Sequence, residues 1–173
     1  MGPGTRLAVV CVLVLVAGLD VACSSDGNDS LRDMLMQQLP EGAKSKDYIM
    51  PNYLPPGIDP DIGVLPYPPN GISVFFASLD DSGVYINIIE IPGQDTVTPE
   101  PSLDPSFGSL WTVRATVIKG TGVEVQTLEH SALLKTDIGT TRVLVQVDDP
   151  HQTLSISELE REAIAIVESM VDS

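Results

Sequence analysis

The chain has 173 residues, with 9 Lys+Arg against 24 Asp+Glu and a formal net charge of −15. Hydrophobic residues make up 43% and charged residues only 19%, which excludes wholesale disorder and predicts one folded domain. The acid excess excludes the basic patch that nucleic acid needs, and two Cys exclude a disulfide scaffold or a Cys-based zinc site.

The N-terminus reads as an export signal. Arg6 is the lone positive charge ahead of an apolar run from Leu7 to Leu19. Such a run matches the hydrophobic region of a signal peptide and is too short to span a bilayer comfortably. It ends in Val21-Ala22-Cys23, followed by the polar stretch Ser24-Ser25-Asp26-Gly27-Asn28-Asp29-Ser30. This pattern resembles a bacterial lipoprotein signal, in which the Cys is lipidated and becomes the mature N-terminus. The resemblance implies a signal peptide over 1–22, a lipidated tether over 23–30 and a single domain over 31–173. It also implies a membrane anchor through a lipid, such as palmitate, on Cys23, at the outer face of the bacterial cell membrane. Asp20 stands where such signals usually carry Leu or another aliphatic. Ordinary secretion, with cleavage near Ala22 to Ser24, is the alternative expectation. Cys11 leaves with the signal, and loss of Arg6 and Asp20 together keeps the balance at −15.

The spacing of Leu31, Met34, Leu35 and Leu39 predicts a short helix capped by Ser30 and ended by Pro40. Pro51-Asn52-Tyr53-Leu54-Pro55-Pro56-Gly57 is expected to be extended, because proline restrains its own φ and the residue before it. Tyr67-Pro68-Pro69-Asn70-Gly71 ends in a tight-turn signal, and Pro92 to Pro105 reads as a long surface loop. Ile72–Leu79 and Val84–Ile91 predict a hairpin around Asp80-Asp81-Ser82-Gly83. Leu110–Lys119 alternates, which predicts Trp111, Val113, Ala115 and Val117 inward and Thr112, Arg114 and Thr116 outward. Gly120-Thr121-Gly122 then turns the chain, and Val123 and Val125 continue the apolar face. Ser131–Thr136 reads as a short strand, with Asp137-Ile138-Gly139 as its turn. Thr141–Asp148 predicts Val143, Val145 and Val147 inward, with Arg142 and Gln146 outward.

The last element carries the clearest signature. Ser155 and Glu158 form a capping box, and Leu154 with Leu159 a hydrophobic staple. Ile156, Leu159, Ala163, Ile166, Val167 and Met170 form one stripe, with Glu160, Arg161 and Glu168 facing away. The expected fold is α+β: an antiparallel sheet of about 5–7 strands packed by a C-terminal amphipathic helix, plus one short N-terminal helix.

The chain has no Gly-x-Ser-x-Gly elbow, no Ser-x-x-Lys, no His-Glu-x-x-His and no phosphate-binding loop. A Ser-His-Asp triad would have to use His130 or His151, and neither stands in a catalytic sequence context. Asp148, Asp149 and His151, the Asp59-x-Asp61 pair and Asp80-Asp81 offer metal-type donors without the spacing of a calcium loop, and read more simply as turn formers. No cofactor, metal or catalytic residue is therefore expected.

Tyr53-Leu54-Pro55-Pro56-Gly57, the meander from Val123 and the ending Leu154-Ser155-Ile156-Ser157-Glu158-Leu159 with Ala163 to Met170 resemble one known family. It is the uncharacterised extracytoplasmic domain found behind bacterial anti-sigma factors and in envelope lipoproteins. More distantly, the pattern is similar to the curved-sheet lipoprotein carriers. The resemblance implies a non-catalytic envelope protein that binds or senses a ligand or a protein partner. The alternative is a carrier of a lipid or other apolar ligand between sheet and helix; a hydrolase ranks below both. Alternation offers Arg114, Thr116, Arg142 and Gln146 as a possible binding surface on a wet sheet face.

Overall fold

The computed structural model describes residues 27–44, 48–68, 70–79, 83–93 and 111–172. The export signal, Cys23 and the start of the tether lie outside the described residues, as do Asp80-Asp81-Ser82 and residues 94–110 of the expected surface loop. The chain runs α1 (Gly27–Gln38), α2 (Glu41–Lys44), β1 (Gly63–Tyr67), β2 (Gly71–Ala77), β3 (Tyr85–Pro92), β4 (Thr112–Ile118), β5 (Thr121–Leu128), β6 (Ser131–Ile138), β7 (Thr141–Asp148) and α3 (Ile156–Val171). The sheet order is β1-β2-β3-β7-β6-β5-β4, with every neighbour antiparallel. Two meanders, β1–β3 and β4–β7, thus join where β3 pairs with β7. The expected α+β architecture is present, with seven strands.

Turn chemistry fixes the registers. Lys119 and Gly120 join β4 to β5 with φ of 49° and 85°, the left-handed pair that a two-residue hairpin loop favours. Gly139, at φ 59°, opens the β6–β7 turn. Asn70 leads into Gly71, which faces Tyr67 across the β1–β2 hairpin. Strand β1 was not among the expected strands. It contains Pro66, which lacks the amide an interior strand needs, and it lies at the sheet edge, where that loss is tolerated.

The core sits on one face of the sheet. Val64, Val74, Ile88, Val145, Leu134 and Val125 stand in one row across six strands. All but Val64, which is half-buried, are buried completely or nearly so. Helix α3 covers β6 and β7 with Leu159, Ala163, Ile166, Val167 and Met170, each fully buried. Its start is held by the expected capping box: Glu158 N–H donates to Ser155 Oγ at 3.3 Å, and Ser155 N–H donates to Glu158 Oε2 at 2.7 Å. Ile156, expected in the apolar stripe, occupies the first helical turn and is 38% exposed.

Helix α1 and residues 48–58 cover the other half of the same face. Leu35 and Leu39 are buried as expected, whereas Met34 is exposed and Met36 packs on the core instead. The helix begins at Gly27, so Ser30 lies in its first turn and not at its cap. Gln38 ties α1 to the chain leading into β1, donating to Pro60 O at 3.1 Å and accepting from Ile62 N–H at 2.9 Å.

Strand β4 reverses the expected facing. Its register places Arg114 opposite Val125 and Thr116 opposite Val123, on the side that α3 covers. Val113 and Val117 point the other way and are 57% and 70% exposed. The reversal has a physical cause. As the far edge strand, β4 meets only the flank of α3, where Arg114 pairs with Glu160 and Lys119 with Asp172. Glu160 therefore faces β4, rather than away from the sheet as expected.

Candidate functional site

The four surface residues singled out by alternation do not form one surface. Arg114 and Thr116 lie on the α3 side, while Arg142 and Gln146 lie on the opposite face of β7. Three of the four also have partners within the chain. Arg114 pairs with Glu160, Arg142 grips Asp137 across β6–β7 at 2.9 and 3.4 Å, and Gln146 donates to Asp148 at 2.8 Å. The face away from α3 is also less wet than alternation implies. Ile91, Leu133 and Leu144 project from it and are at most 3% exposed.

Asp148 organises the end of that face. It stands in register between Tyr85 on β3 and Ser131 on β6. Its carboxylate accepts from the Ser131 hydroxyl, the Gln146 amide and the Tyr85 hydroxyl. Burial raises its pKa above the ordinary carboxylate range despite these donors. Ser131 thus donates directly to a carboxylate, with no imidazole between them. His130 Nε2 meets Glu129 at 3.8 Å, and the His151 ring lies against Gly83, where a Cβ would overlap it.

The neighbouring Asp149 turns away and shapes the loop before α3. Its Oδ2 accepts from Leu154 N–H at 2.5 Å and from the Thr153 hydroxyl at 3.0 Å. Asp59 accepts from Asp61 N–H at 2.9 Å, a local turn. Among the described residues no three His, Cys, Asp or Glu side chains converge as metal ligands would.

An apolar pocket of about 230 Å³ lies between α3 and the sheet. One wall is the segment Pro55-Pro56-Gly57-Ile58; the stretch from Pro51 to Gly57 was expected to be extended, but the chain turns at its end, with Gly57 at φ 85° and Ile58 N–H donating to Pro55 O at 3.2 Å. The approach to β3 gives Val84, β7 gives Val147, and the loop before α3 gives Leu154. Ser78, Thr153 and Glu162 supply polar groups. Tyr53 fixes the wall to the helix, its hydroxyl donating to Glu162 Oε2 at 2.8 Å. Burial, and then this bond to Glu162, push the Tyr53 phenol up to about 12. The site is a small apolar recess with one carboxylate at its rim.

A second recess, of about 290 Å³, lies between Pro40, Ala43, Tyr48, Val64, Pro66 and Ile72. Behind it is Glu90, on the core face of β3 and wholly buried. Glu90 Oε2 accepts from Ile49 N–H at 2.6 Å, and Oε1 is buried without a hydrogen-bond partner among the described residues. Burial lifts the carboxyl to about 8, against the opposing influence of the Ile49 amide and the Arg32 charge. Glu90 did not stand out in the sequence because it sits near the end of a mostly apolar strand, ahead of Ile91 and Pro92. The signal was available in the period: counting in steps of two from Ile86 and Ile88 places residue 90 on the buried face.

No protein-family model, no curated protein and no solved structure matches this chain.

Proposed function

We propose that this chain is a non-catalytic cell-envelope lipoprotein, anchored through lipid on Cys23, whose domain binds or senses a small ligand. The recess walled by Pro55 to Ile58 carries the binding half of this reading. It combines apolar walls, a few convergent polar groups and a carboxylate in one concave place, the usual anatomy of a small-molecule site. Glu162, which accepts from Tyr53 and pairs with Arg161 at 2.9 Å, favours a ligand with a hydrogen-bond donor beside its apolar part. The anchor half rests on the sequence around Cys23. Ser131 lends no support to a hydrolase, because its hydroxyl donates directly to Asp148 with no imidazole between them.

A second reading, a carrier of a lipid or other apolar ligand, is favoured by the position of the recess between sheet and helix. Its volume of about 230 Å³ falls below the roughly 300–1,000 Å³ of ligand-sized pockets, which favours the smaller ligand.

Native mass spectrometry of the protein extracted gently from its own cell envelope tests both. The expected spectrum shows diacylglycerol on the Cys23 terminus and a small releasable adduct that Glu162→Gln weakens. A co-purifying lipid would establish the carrier instead. An unacylated terminus would sink the anchor and leave a secreted protein.

A further inference from the structure

The two edges of the sheet are not alike. Strand β1 is five residues long and interrupted by Pro66, a common protection against edge pairing. Strand β4 is seven residues long without proline, and among the described residues it pairs only with β5. The hairpin fixes which of its backbone groups face outward. Ile118 and Thr121 flank the two-residue loop Lys119-Gly120 and form its closing hydrogen-bonded pair. Alternation then turns Thr112, Arg114, Thr116 and Ile118 toward β5. The N–H and C=O groups of Val113, Ala115 and Val117 point away from the sheet. These three residues also carry the exposed apolar strip on the face opposite α3, with Val113 and Val117 57% and 70% exposed.

We propose that β4 pairs antiparallel with β4 of a second copy of this chain, about a two-fold axis through Ala115. The strand is its own complement in this register. Val113 faces Val117 of the second copy, Val117 faces Val113, and Ala115 faces Ala115. Every outward donor and acceptor then meets its counterpart, and valine stacks on valine along one face. The arrangement is isologous, so it closes at two copies and consumes the edge. Charge does not obstruct the seam. Its three outward residues are neutral, and the nearby cations Arg114 and Lys119 are balanced by Glu160 and Asp172. The −15 carried by each chain opposes association at long range, so added salt tightens the dimer. One strand pair is a small interface and predicts a weak, concentration-dependent dimer. The inference rests on neither the lipid anchor nor the ligand recess.

Sedimentation velocity of the full chain in a mild non-ionic detergent, over a wide concentration series at low and high salt, tests it. The expected result is a reversible monomer–dimer equilibrium that strengthens with salt. Ala115→Pro removes an outward N–H while leaving the β4–β5 ladder its bonds, and weakens the dimer by at least about tenfold. The double variant Val113→Lys/Val117→Lys does the same by placing charge on the seam. Its side chains are exposed, so it decides the matter if the proline variant misfolds. A monomer at every concentration overturns the proposal, and so does a dimer that survives both variants. A monomer whose edge instead captures a synthetic extended apolar peptide also overturns it, and assigns β4 to a different protein partner.

Discussion

At Glu90 a carboxyl group occupies a core position between Ile72 and Val143, where the strand period asks for an aliphatic side chain. Its pKa of about 8 lies above the ordinary 4.5, so the folded state keeps a proton that the unfolded chain loses first. The contribution of this group to stability is therefore fully present below about pH 4.5 and is lost as pH rises through about 8, by an amount on the order of a few kcal/mol. Urea unfolding across that window is expected to show the decline in the wild type and a flatter profile in Glu90→Gln, which mimics the protonated acid. An equally steep decline in the variant would place its origin elsewhere, with Asp148, whose pKa is also raised, as the first alternative. At Tyr53 the issue is one hydrogen bond. Tyr53→Phe leaves half-buried Glu162 without its phenol donor and is expected to cost about 1 kcal/mol, read as a lower urea midpoint at unchanged slope.

Among the elements, α3 was the most legible because two independent signals agree on it, a capping box at its start and a stripe of period 3.6, although Ile156 and Glu160 face otherwise than expected. Ser155→Ala is expected to lower the Tm by a few degrees, since it leaves a first-turn amide without its acceptor. Ile166→Ala, at the centre of the buried stripe, is expected to cost about 2–5 kcal/mol in chemical denaturation. The strands of the second meander were legible as strands, but β6 runs on through Asp137 and Ile138, which were expected in its turn, and facing did not always follow alternation. Val143, Val145 and Val147 point to the core as alternation predicts, whereas Val113 and Val117 do not. The difference is position in the sheet. A central strand has a covered face that takes its valines; β4 has only the helix flank on that side, and its register puts Arg114 and Thr116 there. Strand β1 was missed because Pro66 argues against any strand that is not an edge, and the sequence does not reveal which strands are edges. The apolar recess beside α3 was legible in part. Its proline segment was recognisable, but residues 55–58 close as a turn rather than running extended, and the residues facing them come from the approach to β3, from β7, from the loop before α3 and from α3, which only the fold brings together.

In the whole molecule, the two meanders are local structures and the seam between them is not. Pairs across β3–β7 are separated by 49 residues at Pro92–Thr141 and by 63 at Tyr85–Asp148, while the β6–β7 pairs are close in sequence. Hydrogen exchange is expected to show β6, β7 and α3 opening only with global unfolding, and α1 opening more readily through local excursions. Faster exchange in β7 than in α1 would contradict this ranking. The central place of β7 also sets an order of events during synthesis. The strand that joins the two halves is the last one made, so β3 has an open inner edge until nearly the whole chain has emerged. The β2–β3 hairpin must stay unaggregated for that interval, whether in the cytoplasm or after crossing a membrane. A premature stop just before Thr141 leaves the chain with two half-sheets that cannot find each other. A stop just after Asp148 preserves the pairing and bares its apolar face. Two nonsense mutations a few codons apart would therefore fail differently, one by never assembling a sheet and the other by exposing a finished one.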